Sequence, residues 1–254
     1  MLTNYILNTD CVKGMSMLPA NSVDLTITSP PYDDLRKYNG YRFDFETTAR
    51  QLYRVTKVGG IVVWVVGDAT KNGSETGTSF KQALFFKECG FCLYDTMIYR
   101  KQNYVPLSHR RYEQEFEFMF IFSKGRPKTF NPILVECKYA GTTTWGNSTF
   151  HKTNDSGLVN CGVKKINDYK RHGNIFTYLT GKEKPINGKK HPAPFPLQLV
   201  KDQISTWSNI DDIVLDIFMG SGTTAKAAIE LKRQYIGFEI SEEYCEMANQ
   251  RIKL

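Results

Sequence analysis

"VLDIFMGSGTTAKAA", Val214 to Ala228, runs an apolar strand-like stretch into a glycine-rich turn and then a helical pattern. Gly220 and Gly222 let the backbone turn tightly and approach a ligand closely. The helix that starts at Thr223 points its free N–H groups at the same place. The next apolar run, "YIGFEI" (235–240), carries Glu239 near its end, 17 residues after Gly222. From such a position a carboxylate accepts hydrogen bonds from ribose hydroxyls. There is no G-x-G-x-x-G, and no P-loop lysine follows Gly222, which disfavours a dinucleotide pyrophosphate or a nucleoside triphosphate. A nucleoside-bearing cofactor without a phosphate to cradle fits better.

Outward from this unit, strand and helix patterns alternate at both ends of the chain. "NYILN" (4–8) and "VDLTITS" (23–29) read as strands around a short helix, "CVKGMSMLP". "FETTARQLYRVTKVGG" has helical spacing and a Gly-Gly stop, and "IVVWVVGD" is the β-branched run of a strand covered on both faces. A helix and a strand follow from Ser79 to Arg100, and then "EFEFMFIFSKG" alternates acidic and apolar residues before turning wholly apolar. From 125 to 190 no period holds for long. Order returns with the proline-opened helix "PFPLQLVKDQISTWS", the unit quoted above, and "SEEYCEMANQRIKL". Such alternation predicts a doubly wound, mostly parallel α/β sheet with helices on both faces and a small irregular insertion.

The 254 residues are 41% apolar, enough for one large domain with a core. No apolar run approaches the roughly 18 residues that span a bilayer. The first residues carry no basic n-region or cleavage site, so a cytoplasmic protein without a membrane partner is expected. The close cysteine pair, "CGFC" (89–92), has no second pair to complete a zinc site and falls between a helix and a strand. Ordinary packing thiols are expected there. The histidines at 109, 151, 172 and 191 show no metal spacing, and no metal is expected. Charge is uneven: residues 100–190 hold 17 Lys and Arg against 7 Asp and Glu, whereas the remainder holds 16 against 19. A solvated insertion and a surface that meets a polyanion both fit that distribution.

A second motif, "TSPPYDD" (28–34), ends the strand from Val23. Neither proline has an N–H for a sheet ladder, so the strand stops with Ser29, the Pro30 and Pro31 carbonyls and Tyr32 held stiffly at its end. Together, "TSPPY" and "DIFMGSGTT" resemble the motifs of the DNA amino-methyltransferases, and "HPAPFP" (191–196) is similar to the segment that precedes the cofactor loop there. "KQNYVPLSHRRYEQEFEFMFIFSKG" resembles the central strands of that family. The order, with the catalytic motif before the cofactor loop, is that of the β group. One departure is Ile217, where many relatives carry proline; isoleucine is compatible with a strand end.

The resemblance implies a circularly permuted Rossmann-like methyltransferase fold, with residues 1–125 and 190–254 as the catalytic domain and 126–189 as a target-recognition insertion. It implies S-adenosylmethionine as cofactor. Asp10 would contact its adenine and Phe195 would pack against that ring. Asp216, Phe218, Gly220, Ser221, Gly222 and Thr223 would surround its methionine part, and Glu239 would hold the ribose. Simpler readings exist: Asp10 and Glu239 as helix caps, Phe195 as core. Lys101, Arg110 and Arg111 would meet DNA phosphates or simply be solvated.

An exocyclic amine is a poor nucleophile because its lone pair is delocalised into the ring. Acceptors aimed at its N–H groups help it pyramidalise. The Ser29 hydroxyl and the Pro30 carbonyl are such acceptors, with Tyr32 stacking on a base flipped from the duplex. In the family, Ser before Pro-Pro-Tyr is associated mainly with cytosine N4 and Asp with adenine N6. The reading is therefore a site-specific DNA methyltransferase acting on cytosine N4, with adenine N6 as its alternative. RNA or protein-amide methylation, or non-catalytic nucleic-acid binding, are the rivals. Double-stranded DNA is the expected partner; a companion restriction endonuclease and a monomer or homodimer are both compatible with the sequence.

Overall fold

The computed structural model describes residues 1–31, 43–104, 110–143, 149–151, 158–160, 163–181 and 195–253. Two compact units emerge: Met1–Asn131 with Asn174–Leu254, and Pro132–Gly173. The sequence places all of 126–189 in an insertion, but the described residues at both ends of that range lie with the larger unit.

In the larger unit, β1 (Tyr5–Asn8), α1 (Cys11–Ser16), β2 (Val23–Thr28), α2 (Phe45–Val55) and β3 (Thr56–Val66) come first. A small hairpin, β4 (Thr70–Lys71) and β5 (Ser74–Glu75), precedes α3 (Thr78–Glu88), β6 (Cys92–Lys101) and β7 (Phe116–Ser123). The smaller unit holds β8 (Leu134–Glu136), β9 (Thr149–His151), β10 (Leu158–Asn160) and β11 (Tyr169–Arg171), which pair antiparallel as β8 with β11 and β9 with β10. The chain then rejoins the larger unit as β12 (Ile175–Tyr178), α4 (Leu197–Trp207), β13 (Ile213–Asp216), α5 (Thr223–Glu230), β14 (Gln234–Glu239) and α6 (Glu242–Arg251).

Eight strands form one sheet in the order β1-β14-β13-β2-β3-β7-β6-β12. Every neighbouring pair is parallel except those that β7 makes with β3 and β6. The mostly parallel α/β sheet expected from the alternation is therefore present, with one reversed strand. Alternating apolar residues suit either direction, so nothing in "EFEFMFIFS" announces the reversal. Buried side chains of α1, α2 and α3, among them Met15, Leu52 and Phe86, meet Trp64, Phe122 and Phe238 on one face. Helices α4, α5 and α6 lie on the other, with Leu199, Ile204 and Ala225 fully buried.

The Gly59–Gly60 pair, expected to stop a helix, lies inside β3. Helix α2 ends at Val55, and Thr56 is already extended at φ −68°, ψ 131°. The register of β3 against β2 shifts between Val23 and Leu25, so residues 57–60 form an irregularity in the ladder. Gly59 sits at φ +80°, and a Cβ on Gly60 would come within 2.9 Å of the Asp24 carbonyl oxygen. Both glycines are needed for that bend, which lets Lys57 reach Asp24 at 2.7 Å.

Chain direction explains where a ligand fits. From β2 the chain moves through α2 to β3, and from β13 it moves through α5 to β14, away from β2. These two strands are adjacent, and their helices cover opposite faces. Between β2 and β13 lies the topological switch point, where a crevice opens beyond the carboxyl ends of the strands.

Candidate active site

Both sequence motifs end at that crevice. β2 delivers Ser29, Pro30 and Pro31 to its rim; Pro30 is buried, and Ser29 and Pro31 are half-buried. Tyr32 lies outside the described residues, as do His191–Pro194 of the "HPAPFP" segment. Phe195 is described and half-buried just ahead of α4.

On the other rim, β13 ends in the glycine turn. Gly220 has φ +51° and Gly222 φ +83°, both in the left-handed region. A Cβ on Gly222 would meet Ala248 of α6 at 2.8 Å, so the turn is wedged between the sheet and that helix. Ser221 and Thr223 are buried, and Phe218 is half-buried with its ring 5.2 Å from that of Phe43. Gly222 also serves as the N-cap of α5, which has no side-chain cap, so its first N–H groups are available to a ligand.

Glu239 ends β14, next in the sheet, and braces this turn. Its Oε2 accepts the Gly220 N–H at 2.7 Å and its Oε1 accepts the Ser241 N–H at 2.9 Å. It does not cap α6 itself; Ser241 does, accepting from the Tyr244 N–H. Burial raises the Glu239 pKa, and its backbone hydrogen bonds work against that rise. A carboxylate oxygen has two lone pairs, so acceptor capacity for ribose hydroxyls remains.

Asp10 follows β1, whose last residue, Asn8, pairs with Glu239. Its Oδ1 accepts from the Val12 and Lys13 N–H groups at 2.9 and 3.0 Å, so it does cap α1. Capping orients the carboxylate and does not remove it from the rim. Asp10, Glu239, the glycine turn and Ser29 thus occupy four consecutive strand ends. At a strand spacing of about 4.8 Å, Glu239 and Ser29 are separated by roughly 10 Å. That span suits a nucleoside held at one end with a reactive group at the other. The donor set fits S-adenosylmethionine: carboxylates for hydroxyls and close backbone at the turn, while the buried Arg251 guanidinium donates to the Thr223 hydroxyl at 3.1 Å.

Asp216 is placed differently from the other candidate cofactor residues. It is 2% exposed, and its Oδ1 accepts from the Thr28 hydroxyl at 2.8 Å and the Phe218 N–H at 3.0 Å. Its Oδ2 accepts from the Thr224 hydroxyl at 2.6 Å. Burial raises its pKa to about 6, helped by the charge of Glu239 and opposed by these three hydrogen bonds. Thr28 and Thr224 are the residues that sequence reasoning passes over. Each stands beside a motif residue, yet their common partner appears only when strands 188 residues apart in sequence are juxtaposed.

The candidate phosphate-contacting residues lie on the far side of the sheet centre. Lys101, at the end of β6, pairs with Glu117 at 2.6 Å. Arg111 is exposed and donates to the Gly73 carbonyl of the β4–β5 turn, and Arg110 is exposed. Cys89 follows α3 and Cys92 opens β6, with Gly90 between them at φ +106° in a helix C-cap.

Residues 23–250 match the model of a family described as DNA methylase. The orphan methyltransferase M.BamHII of Bacillus amyloliquefaciens is 52% identical over 241 residues, covering 91% of this chain and 89% of that protein. The M1.HpyAVI–SAM complex matches at a TM-score of 0.65 and 26% identity over 98% of this chain and 99% of that one. The PvuII DNA methyltransferase (cytosine-N4-specific) has the same fold, with a TM-score of 0.71 at 20% identity over 99% and 86% of the two chains.

Proposed function

This chain belongs to the DNA methylase family, S-adenosylmethionine-dependent enzymes that act on cytosine N4 or adenine N6, and from that premise we propose that it methylates cytosine N4 in duplex DNA. The observation that carries the choice of base is Ser29, a neutral acceptor at the carboxyl end of β2, in the motif position that goes mainly with cytosine N4.

In this reading Asp10, Glu239 and the turn from Phe218 to Thr223 hold the cofactor, with Phe195 against its adenine. When bound, the cofactor supplies a methyl group made electrophilic by its sulfonium. The chain's own groups act on the amine. The Ser29 hydroxyl and the Pro30 carbonyl accept from its N–H groups, which lets the nitrogen pyramidalise and disperses the positive charge that develops on it. Pro30 and Pro31 fix those acceptors because their φ angles are locked. Tyr32 stacks on the flipped base. The methyl group would pass directly to nitrogen as its bond to sulfur breaks and leaves a neutral thioether, and the methylated amine would give up one proton to solvent.

The segment 126–189 is read as the surface that selects the DNA target. Within the smaller unit, Lys138, Lys164, Lys165, Lys170 and Arg171 are all exposed, beside Tyr139 and Tyr169 at 61% and 56% exposure. Exposed cations beside exposed rings suit phosphates and unstacked bases. Lys101, Arg110 and Arg111 would add phosphate contacts. A companion endonuclease and a cytoplasmic location complete the proposal.

Mass spectrometry of nucleosides from plasmid DNA, after expression in a methylase-free host, tests the base directly. N4-methylcytosine is expected. N6-methyladenine in its place would keep the family and overturn the assignment to Ser29.

A further inference from the structure

The backbone ladder between β13 and β2 pairs Val214 with Leu25 and Leu215 with Thr26. Beyond those residues the two strands carry the catalytic motif and the cofactor turn to opposite rims of the crevice. On its other side β2 stays laddered to β3 as far as Thr28 with Trp64. The β2 end is thus tied to β3 by backbone, whereas its distance from the cofactor turn depends on side chains. Among the described residues, the bond across that opening runs from the Thr28 hydroxyl to Asp216.

We propose that Asp216 is a positioning residue that fixes the catalytic motif relative to the cofactor turn. Its single carboxylate holds the last residue of β2, the Phe218 N–H that opens the turn, and the Thr224 hydroxyl in the first turn of α5. Each partner is a protein group, so Asp216 acts through the residues that touch the ligands. Thr28 is covalently next to Ser29, and Thr224 directly follows Thr223. A shift at the carboxylate is therefore passed to both rims at once.

Two physical arguments support this. First, the carboxylate is buried at 2% exposure and held by neutral hydroxyl and N–H donors, a costly arrangement whose hydrogen bonds must be well formed. Second, methyl transfer depends on the approach of the reacting atoms, and a misplacement of about 1 Å costs on the order of 100-fold. The inference rests on the methyltransferase reading, but not on which base is methylated.

The test uses Thr28→Val, which keeps the branched shape and removes the hydroxyl, with Thr28→Ser as the conservative control. Transfer of labelled methyl to total plasmid DNA is followed in a single turnover at saturating S-adenosylmethionine, and cofactor binding is measured by calorimetry. Wild-type transfer is recorded first, on label at any base, so an error in the base assignment does not touch the comparison. Thr28→Val should slow transfer at least about tenfold while the cofactor Kd moves less than about threefold. Thr28→Ser should recover most of the rate. A rate loss under about threefold, equal losses of rate and cofactor affinity, or no recovery in Thr28→Ser would overturn the proposal. If Thr28→Val does not fold, as shown by loss of its far-UV circular dichroism and of a cooperative thermal transition, Thr28→Ala carries the same two readings.

Discussion

Two buried aspartates link the same pair of strands at opposite ends, and they are held in opposite ways. Asp24, near the start of β2, reaches across to the Ile213 N–H at the start of β13. Asp216, at the end of β13, reaches back to Thr28 at the end of β2. Each is 2% exposed. Asp24 is paired with both Lys57 and Lys128, and although burial pushes its pKa up, the lysine hydrogen bonds outweigh that and lower it. Asp216 is held by neutral donors, and burial raises it to about 6. Residue type, strands and low solvent exposure are shared; Asp216 lies deeper in the protein and lacks the counter-charge that Asp24 has. The closed end of the strand pair has its charge neutralised in place. The open end, which faces the crevice, holds a carboxylate whose hydrogen-bond donors are all neutral.

The sharpest way to break the comparison is to remove the acid at the closed end. Asp24→Ala leaves the Ile213 N–H without its carboxylate and separates two lysines from their shared partner. A loss of about 3–4 kcal/mol in unfolding free energy is expected, measured by urea denaturation. Methyl transfer per folded molecule should stay within about twofold of wild type. A large rate loss at little cost in stability would mean that both ends serve the reaction, and the contrast would fail.

A second effect, somewhat smaller, concerns pH. Because the folded pKa of Asp216 lies above the value of 3.8 for an exposed aspartate, the folded state binds more protons between these values. Its contribution to stability is complete below about pH 4 and is lost as pH rises towards and through about 6. Relative to Asp216→Asn, wild type should therefore lose about 2–3 kcal/mol across that window. Glu239, also raised by burial, works in the same direction and is common to both proteins. Asp24 has the opposite sign: its contribution is present above about pH 4 and falls away in more acid solution. Parallel stability curves for wild type and Asp216→Asn would show that the carboxylate at the open end is not held at elevated pKa.

What could be read from the sequence follows from how local each signal is. The β13–turn–α5 unit was legible because glycine spacing, apolar run and helix start lie within a few residues of one another. The sheet was legible because β-branched runs and helical periods alternate. Less visible was the reversal of β7, since alternation is blind to strand direction, and the bend at Gly59–Gly60, since a glycine pair ends helices and bends strands alike. For the site, the rim residues Ser29, Gly220, Gly222 and Glu239 stood out in their motifs, whereas Thr28 and Thr224 did not. A lone acid in the apolar strand "VDLTIT" announces that Asp24 needs a partner, but Lys57 and Lys128 lie 33 and 104 residues away. Side-chain bridges between remote strands carry no local pattern.

The smallest effect expected is also the one that defines the contrast most finely. Lys57 and Lys128 are 35% and 42% exposed at their side chains, so solvent screens each pair. Lys57→Met should cost under about 1 kcal/mol, because Lys128 still neutralises Asp24. The same holds for Lys128→Met. Combining the two leaves Asp24 buried without a cation, in the condition of Asp216, and the loss should exceed the sum of the single losses. The double variant should also lose the acid-side fall in stability that a lowered Asp24 pKa produces, and gain a decline with rising pH in its place. Additive losses with an unchanged pH profile would show that the lysines do not set the state of Asp24. The two ends of the strand pair would then differ in their hydrogen bonds and not in their counter-charge.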